Sequence, residues 1–140
     1  MARSEIERVL QSIPLFSKCS KKELKAIGAL MTMSNVAAGD ALATEGEVGR
    51  EFVVIETGEA VVRRNGRKIG TLGPGSSFGE LAMLVAGKRT ASVTAETDMS
   101  IWVAGPGEFS ALLWAHPSIM YNVLMAAVTR LYDDNTRDVQ

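Results

Sequence analysis

The feature that most restricts the fold of this chain is where its glycines fall. Of the 13, all but Gly28 lie between Gly39 and Gly107, so tight turns are confined to the middle of the 140-residue chain. Short β-type runs lie between them: Ala41 to Thr44, Glu51 to Thr57, Glu59 to Arg64, Arg67 to Leu72, Thr90 to Ala95 and Asp98 to Val103. Asn65-Gly66 joins two of these runs, and both residues tolerate the positive φ that a two-residue hairpin turn requires. Several short strands at this spacing imply a β-roll or jelly-roll barrel rather than a parallel sheet.

Helical patterns flank the roll. Ser4 to Gln11 carries Ile6, Val9 and Leu10 at helical spacing and stops before Pro14, whose ring disfavours helix in the preceding residue. Leu15 and Phe16 follow as an apolar plug, and Cys19 is expected to fill a helix junction. Ser20-Lys21-Lys22-Glu23 fits a capping box. The helix it opens is expected to run to about Met31 and to bury Leu24, Ile27, Met31 and one of Ala29 or Leu30. Pro106 to Ala115 is expected to be helical, with proline in the first turn and Phe109, Leu112 and Leu113 on the barrel. His116 reads as a cap or a packed ring, and Trp102 and Trp114 as packing residues. A last helix from Ser118 to about Asp133 places Met120, Leu124, Ala127 and Leu131 on a heptad-like seam, with Ile119 and Val123 widening the stripe. That seam leaves two readings open: a helix covering its own barrel, or a helix that also pairs with a second copy. The expected division is one domain over 1–135, with helices in 1–31, the roll in 32–104, helices in 106–133, and a polar tail in 136–140.

The stretch most able to carry chemistry is Gly73 to Val93, GPGSSFGELAMLVAGKRTASV. Gly79 and Glu80 precede a short apolar run expected to be a helix. The first turn of a helix leaves backbone N–H groups without internal partners, and these can face an anion. Arg89 returns with a planar two-pronged donor suited to a phosphate. A carboxylate beside an anion makes sense when the ligand also offers a hydroxyl, so the set suggests a sugar phosphate. The same residues also fit a tight turn closed by a structural Glu80–Arg89 ion pair, which short motifs of this kind more commonly mean.

The string FGELAML followed by RTASV resembles the phosphate-binding cassette of the cyclic-nucleotide-binding domain family, which includes catabolite activator proteins, protein kinase regulatory subunits and nucleotide-gated channels. IPLFSKCSKKEL resembles that family's entry helices. AAGDALATEGEVGREFVVIETGEAVV resembles its first strands, with Gly39, Gly46 and Gly58 at the expected turns. The likeness runs from about Leu10 to Leu131. It implies a mainly β fold with flanking helices: an eight-stranded β-roll (jelly-roll barrel) with N-terminal helices and two C-terminal helices, and a cassette over 78–91.

The resemblance further implies that Glu80 accepts a hydrogen bond from the ribose 2′-hydroxyl and that Arg89 pairs with the exocyclic oxygens of the cyclic phosphate. Phe78 opens the cassette, and backbone amides around Gly79, Leu81, Ala82 and Ala91 complete the cradle. Thr90 offers a hydroxyl to the phosphate without naming the base. If Ala91, Val93 and Ala95 pack inward, Thr90 points the other way from Ala91. Val62 and Ile69 line the apolar side of the nucleotide by resemblance, and either also fits plain core. Arg130, Asp134 and Asn135 fall where the last helix of that family reaches the base. Asp134 and Asn135 depart from the hydroxyl residues expected there and also read as solvated polar groups.

Composition excludes other classes. With 46% hydrophobic residues a packed core is available, and a net charge of −1 gives no electrostatic footprint for nucleic acid within this chain. The apolar run from Phe109 to Val128 is interrupted by His116, Pro117, Ser118 and Asn122, which argues against a membrane span. MARSEIERVL lacks the apolar region of a signal peptide, and a single cysteine cannot form an internal disulfide. A soluble, cytoplasmic protein is expected. A metalloenzyme on such a barrel would need clustered histidines, and this chain has one. The expected function is therefore a non-enzymatic regulatory module. Its ligand is a 3′,5′-cyclic nucleotide, cAMP rather than cGMP, with no cofactor. Its expected partners are an effector domain or protein and a second copy through the C-terminal helix. The competing reading is a degenerate roll used for dimerisation or docking with its pocket empty.

Overall fold

A computed structural model describes residues 2–49, 51–79 and 87–139, except the side chains at 2–4, 106, 130, 131 and 133–139. Two helices begin the chain: α1 (Ala2–Ser12) and α2 (Lys21–Ala29), joined through a 3-10 turn at Pro14–Phe16. Ten strands follow among the described residues: β1 (Thr32–Val36), β2 (Ala41–Ala43), β3 (Val48–Gly49), β4 (Phe52–Thr57), β5 (Ala60–Arg64), β6 (Arg67–Leu72), β7 (Ser77–Phe78), β8 (Gly87–Lys88), β9 (Ser92–Ala95) and β10 (Met99–Ala104). Helices α3 (Pro106–Ala115) and α4 (Pro117–Val139) end it.

Eight of the strands form two four-stranded antiparallel sheets, ordered β1-β10-β4-β7 and β2-β9-β5-β6, which together make the β-roll. The remaining pair, β3 and β8, is a separate two-residue ribbon. Asn65 (φ 54) and Gly66 (φ 79) turn the β5–β6 hairpin in the left-handed conformation their pairing predicts.

Strand β4 explains how roll and helices share one wall. Its run Phe52-Val53-Val54-Ile55 is apolar without alternation because both faces are covered. Phe52 and Val54 point into a cluster with Ile6, Leu10, Phe16, Ile27, Phe109, Ile119 and Val123 from the helices. Val53 and Ile55 point into the roll, against Ala60, Val93, Ala95, Met99 and Ile101. Strand β10 divides likewise, with Trp102 and Ala104 toward the helices and Ile101 toward the roll. Phe16, Phe52 and Phe109 meet with ring centroids 5.6–6.2 Å apart, locking the 3-10 turn, β4 and α3 together.

The capping box is formed. Glu23 N–H donates to Ser20 Oγ at 3.1 Å and Ser20 N–H to Glu23 Oε1 at 2.8 Å. Glu23 Oε2 also accepts from Ser118 Oγ at the start of α4, so one carboxylate ties α2 to the last helix. The Ser118 bond and then the Ser20 amide hold Glu23 below the usual carboxylate range. A carboxylate whose folded pKa is depressed contributes stability above its unfolded pKa and loses it as pH falls through the folded one. The Glu23→Gln variant should therefore lose less stability than the natural chain between neutral pH and the acid side of the carboxylate range. Parallel thermal melts across that window check it, and equal slopes would remove Glu23 from the acid response.

Four expectations are corrected. Helix α4 runs to Val139, so the tail expected at 136–140 is helical up to that residue, and the helix passes the expected end at Asp133. No glycine or proline follows Pro117 to stop it, and Asp133 and Asp134 stand four and three residues before Arg137, spacings that favour helix. The heptad-like seam is split. The buried stripe on α4 is Ile119, Val123 and Ala127, spaced every fourth residue, whereas Leu124 is 47% exposed and Leu131 lies outside the described side chains. Trp114 does not pack in the core and is 77% exposed, while its neighbours Leu112 and Leu113 are buried. Finally, α2 ends at Ala29, before Met31.

Candidate functional site

The side chain on which the reading depends, Arg89, is half-buried and held from four directions. Its Nη2 donates to the backbone carbonyl of Glu51 at 3.0 Å. Its guanidinium carbon lies 5.6 Å from the centre of the Phe78 ring, a cation over an aromatic face. Two glycines supply the other sides. A Cβ added at Gly49 would overlap Arg89 Nε, and one added at Gly79 would lie 3.0 Å from Nη1 and collide with the Glu51 carbonyl. The guanidinium thus occupies room that exists only because Gly49 and Gly79 have no side chains. Gly79 also takes φ +96, a conformation other residues rarely adopt.

The backbone around Arg89 is equally fixed. Arg89 N–H donates to Glu47 O at 2.8 Å, and Gly46 N–H donates to Arg89 O at 2.9 Å, extending the β3–β8 ribbon by one step. Glu45 N–H donates to Ser92 Oγ at 2.9 Å, and Arg64 Nε to Thr90 O at 3.1 Å. A rigid donor held in this way can meet an anion without first losing its own conformational freedom.

Of the other expected site residues, Phe78 pairs with Val53 across β7 and β4 and packs on the inner cluster of the roll. Val62 is half-buried against the same cluster and sits opposite Val93. Ile69 is 51% exposed, the extra residue where the β5–β6 register shifts between Val62 and Arg63. Val93 and Ala95 are buried and Thr90 is exposed, as the alternation predicts. Ala91 is half-buried. Glu80, Leu81 and Ala82 lie outside the described residues, and so do the side chains of Arg130, Asp134 and Asn135. Phe78, Gly79 and Arg89 are therefore brought together, while Glu80, expected to meet a ribose, lies outside the described residues. Two contributors escaped the sequence reading: Gly49 and the Glu51 carbonyl. A glycine inside the run Glu47-Val48-Gly49-Arg50-Glu51 is the one available signal, since glycine within a strand often marks a close approach.

The sequence and the fold match known proteins. The profile described as "Cyclic nucleotide-binding domain" fits residues 33–116, more than half of the chain. The chain belongs to the cyclic nucleotide-binding domain family. This domain is 35% identical over 113 residues to the cAMP-dependent protein kinase regulatory subunit of Yarrowia lipolytica, an alignment covering 79% of this chain and 30% of that protein. Among solved structures, the N-terminal domain of a transcriptional regulator from Streptomyces coelicolor superposes with a TM-score of 0.80 at 30% identity, covering 92% of this domain and 93% of that chain. The regulatory domain of Toxoplasma gondii protein kinase A with cAMP gives a TM-score of 0.74 at 30% identity, covering 79% of this domain and 44% of that chain. The cyclic nucleotide-binding domain described here thus spans under a third of the length of its curated kinase-subunit relative. No single helix among the described residues is long and apolar enough to cross a membrane.

Proposed function

We propose that this domain is a cytoplasmic, non-enzymatic regulatory module that binds a 3′,5′-cyclic nucleotide, cAMP in preference to cGMP, and passes its occupancy to helix α4. The observation that carries the reading is the Arg89 guanidinium, wedged between the bare backbones of Gly49 and Gly79 and the Phe78 ring. An always-charged planar donor preset in this way suits the exocyclic oxygens of a cyclic phosphate. Preference for cAMP is supported by the Yarrowia and Toxoplasma relatives, whose names specify it. Glu80 is assigned to the ribose 2′-hydroxyl, the backbone of Gly79, Leu81, Ala82 and Ala91 to the phosphate cradle, Thr90 to a phosphate contact, and Val62, Ile69 and Arg130 to the base side.

The output assignment rests on the two faces of α4. Ile119 and Val123 dock on the helical cluster and Ala127 is buried, while Tyr121, Leu124, Met125, Val128 and Tyr132 stand 44–70% exposed. A ligand moves such a helix only through contacts that differ between its positions. The uncovered face supports an effector or a second copy as the partner that senses the movement.

Calorimetric titration with cAMP, cGMP and 5′-AMP tests the function. Saturable heat with cAMP, weaker binding of cGMP and none of 5′-AMP is expected. No heat with either cyclic nucleotide at millimolar concentration would favour a roll used only for docking. A second experiment tests the ribose assignment: Glu80→Ala should weaken cAMP more than its 2′-deoxy analogue, by about 1–3 kcal/mol for a hydrogen bond to an ionised carboxylate. Equal losses for the two ligands would contradict it.

A further inference from the structure

Resting on the cyclic-nucleotide reading, a second cation stands beside the same site. Strand β5 aligns with β9 through Ala60↔Ala95, Val61↔Thr94, Val62↔Val93 and Arg63↔Ser92. Alternate residues share a face, and Ala60, Val62, Val93 and Ala95 all pack in the inner cluster of the roll. The register shift in the β5–β6 pair inserts its extra residue, Ile69, on β6, so the alternation along β5 continues unbroken. Arg64 is therefore the next residue on the inward face after Val62, and continuing the register brings it level with Ala91 in the phosphate-binding segment. A charged residue on that face would be costly inside the roll. Arg64 is exposed, which places it at the mouth.

The chain also fixes where this side chain lies. Arg64 Nε donates to the carbonyl of Thr90, the residue after Arg89, at 3.1 Å. Asn65 N–H, one residue on, donates to Glu45 Oε1 at 3.0 Å, and Glu45 N–H in turn donates to Ser92 Oγ, so the hairpin tip is tied to both ends of the returning segment. With Nε spent on a carbonyl, the two terminal nitrogens of Arg64 have no hydrogen-bond or ion-pair partner among the described residues. The other cations of the hairpin, Arg63, Arg67 and Lys68, lack such an anchor among the described residues. Among the described cations of the hairpin, Arg64 alone is both inward in register and tied to the segment that carries Arg89.

We propose that Arg64 is a second guanidinium of the phosphate end of the site, held by the Thr90 carbonyl and directing its terminal nitrogens at the anionic phosphate of the bound nucleotide. It makes the pocket selective for a charged phosphate beyond what Arg89 alone supplies. It also couples the β5–β6 hairpin to ligand occupancy.

The test is calorimetric titration of cAMP into the natural chain, Arg64→Gln and Arg64→Lys at low and high salt. Glutamine can still donate to the Thr90 carbonyl but carries no charge; lysine keeps the charge without the fork. Arg64→Gln should bind about tenfold more weakly at low salt, in line with loss of a charge-assisted contact, and Arg64→Lys should recover part of that loss. Affinity should fall less steeply with salt in Arg64→Gln than in the natural chain, because one exposed charge pair has gone. The unliganded melting temperatures should agree, since Arg64 is exposed. Natural-like affinity and salt dependence in Arg64→Gln would reduce the residue to a backbone prop and overturn the inference. Arg64→Lys binding no better than Arg64→Gln would overturn it as well. Absence of binding by the natural chain would instead remove the function proposed above.

Discussion

Replacing Arg89 with leucine is expected to weaken cyclic-nucleotide binding by on the order of 2–5 kcal/mol, while the domain stays folded. Leucine keeps apolar bulk against Phe78 but offers nothing to the phosphate, which must then leave water without a charged partner. The glycines beside the guanidinium cannot make up the loss, because neither Gly49 nor Gly79 carries a side chain that could donate in its place. Lysine at this position should recover only part of the affinity. It restores the charge but cannot reach the Glu51 carbonyl, lie flat over Phe78 and present a two-pronged face together. Calorimetry on Arg89→Leu and Arg89→Lys, with melting curves as a folding control, measures the effect. Unchanged affinity in the leucine variant would take Arg89 out of the site.

The second large effect is expected at Gly79. Alanine there meets two penalties. The φ of +96 is strained for any residue with a Cβ, by about 1–3 kcal/mol. The new methyl would also collide with the Glu51 carbonyl, the group that holds Arg89 Nη2. Relief requires Glu51 to retreat, and Arg89 then loses its anchor. Gly79→Ala should therefore lower both the melting temperature and nucleotide affinity, the affinity by more than the strain alone. Gly70→Ala is the comparison, since a Cβ there meets nothing within 4 Å. A Gly79→Ala chain binding as well as Gly70→Ala would show that the cassette entry tolerates displacement and that Arg89 is not held through Glu51.

What the sequence revealed followed the strength of local signals. Strand β6 and helix α3 begin and end where expected because Asn65-Gly66 bounds one and Pro106 opens the other. The capping box at Ser20 and Glu23 formed as its spacing predicts. Strand β1 was missed because four of its five residues are exposed and carry no alternation, and β3, β7 and β8 are too short to show a period. On α4, apolar residues fit a heptad seam and a fourth-residue stripe at once. Packing against the helical cluster selects Ile119 and Val123, with Ala127 buried in line with them, and the pattern alone had no means to choose. The same ambiguity left Trp114 looking like core in a helix apolar on most sides. At the site, Arg89 and Gly79 were legible because side-chain chemistry and a turn residue announce them. The Glu51 carbonyl was not, since a main-chain acceptor leaves no mark in the residue that carries it.

A crystal structure grown with cAMP examines the central claim most directly. The exocyclic phosphate oxygens should lie within hydrogen-bond distance of the Arg89 guanidinium and the ribose 2′-hydroxyl beside Glu80. A nucleotide bound elsewhere on the chain, or a pocket still empty at saturating cAMP with Arg89 unmoved on Glu51, would contradict it.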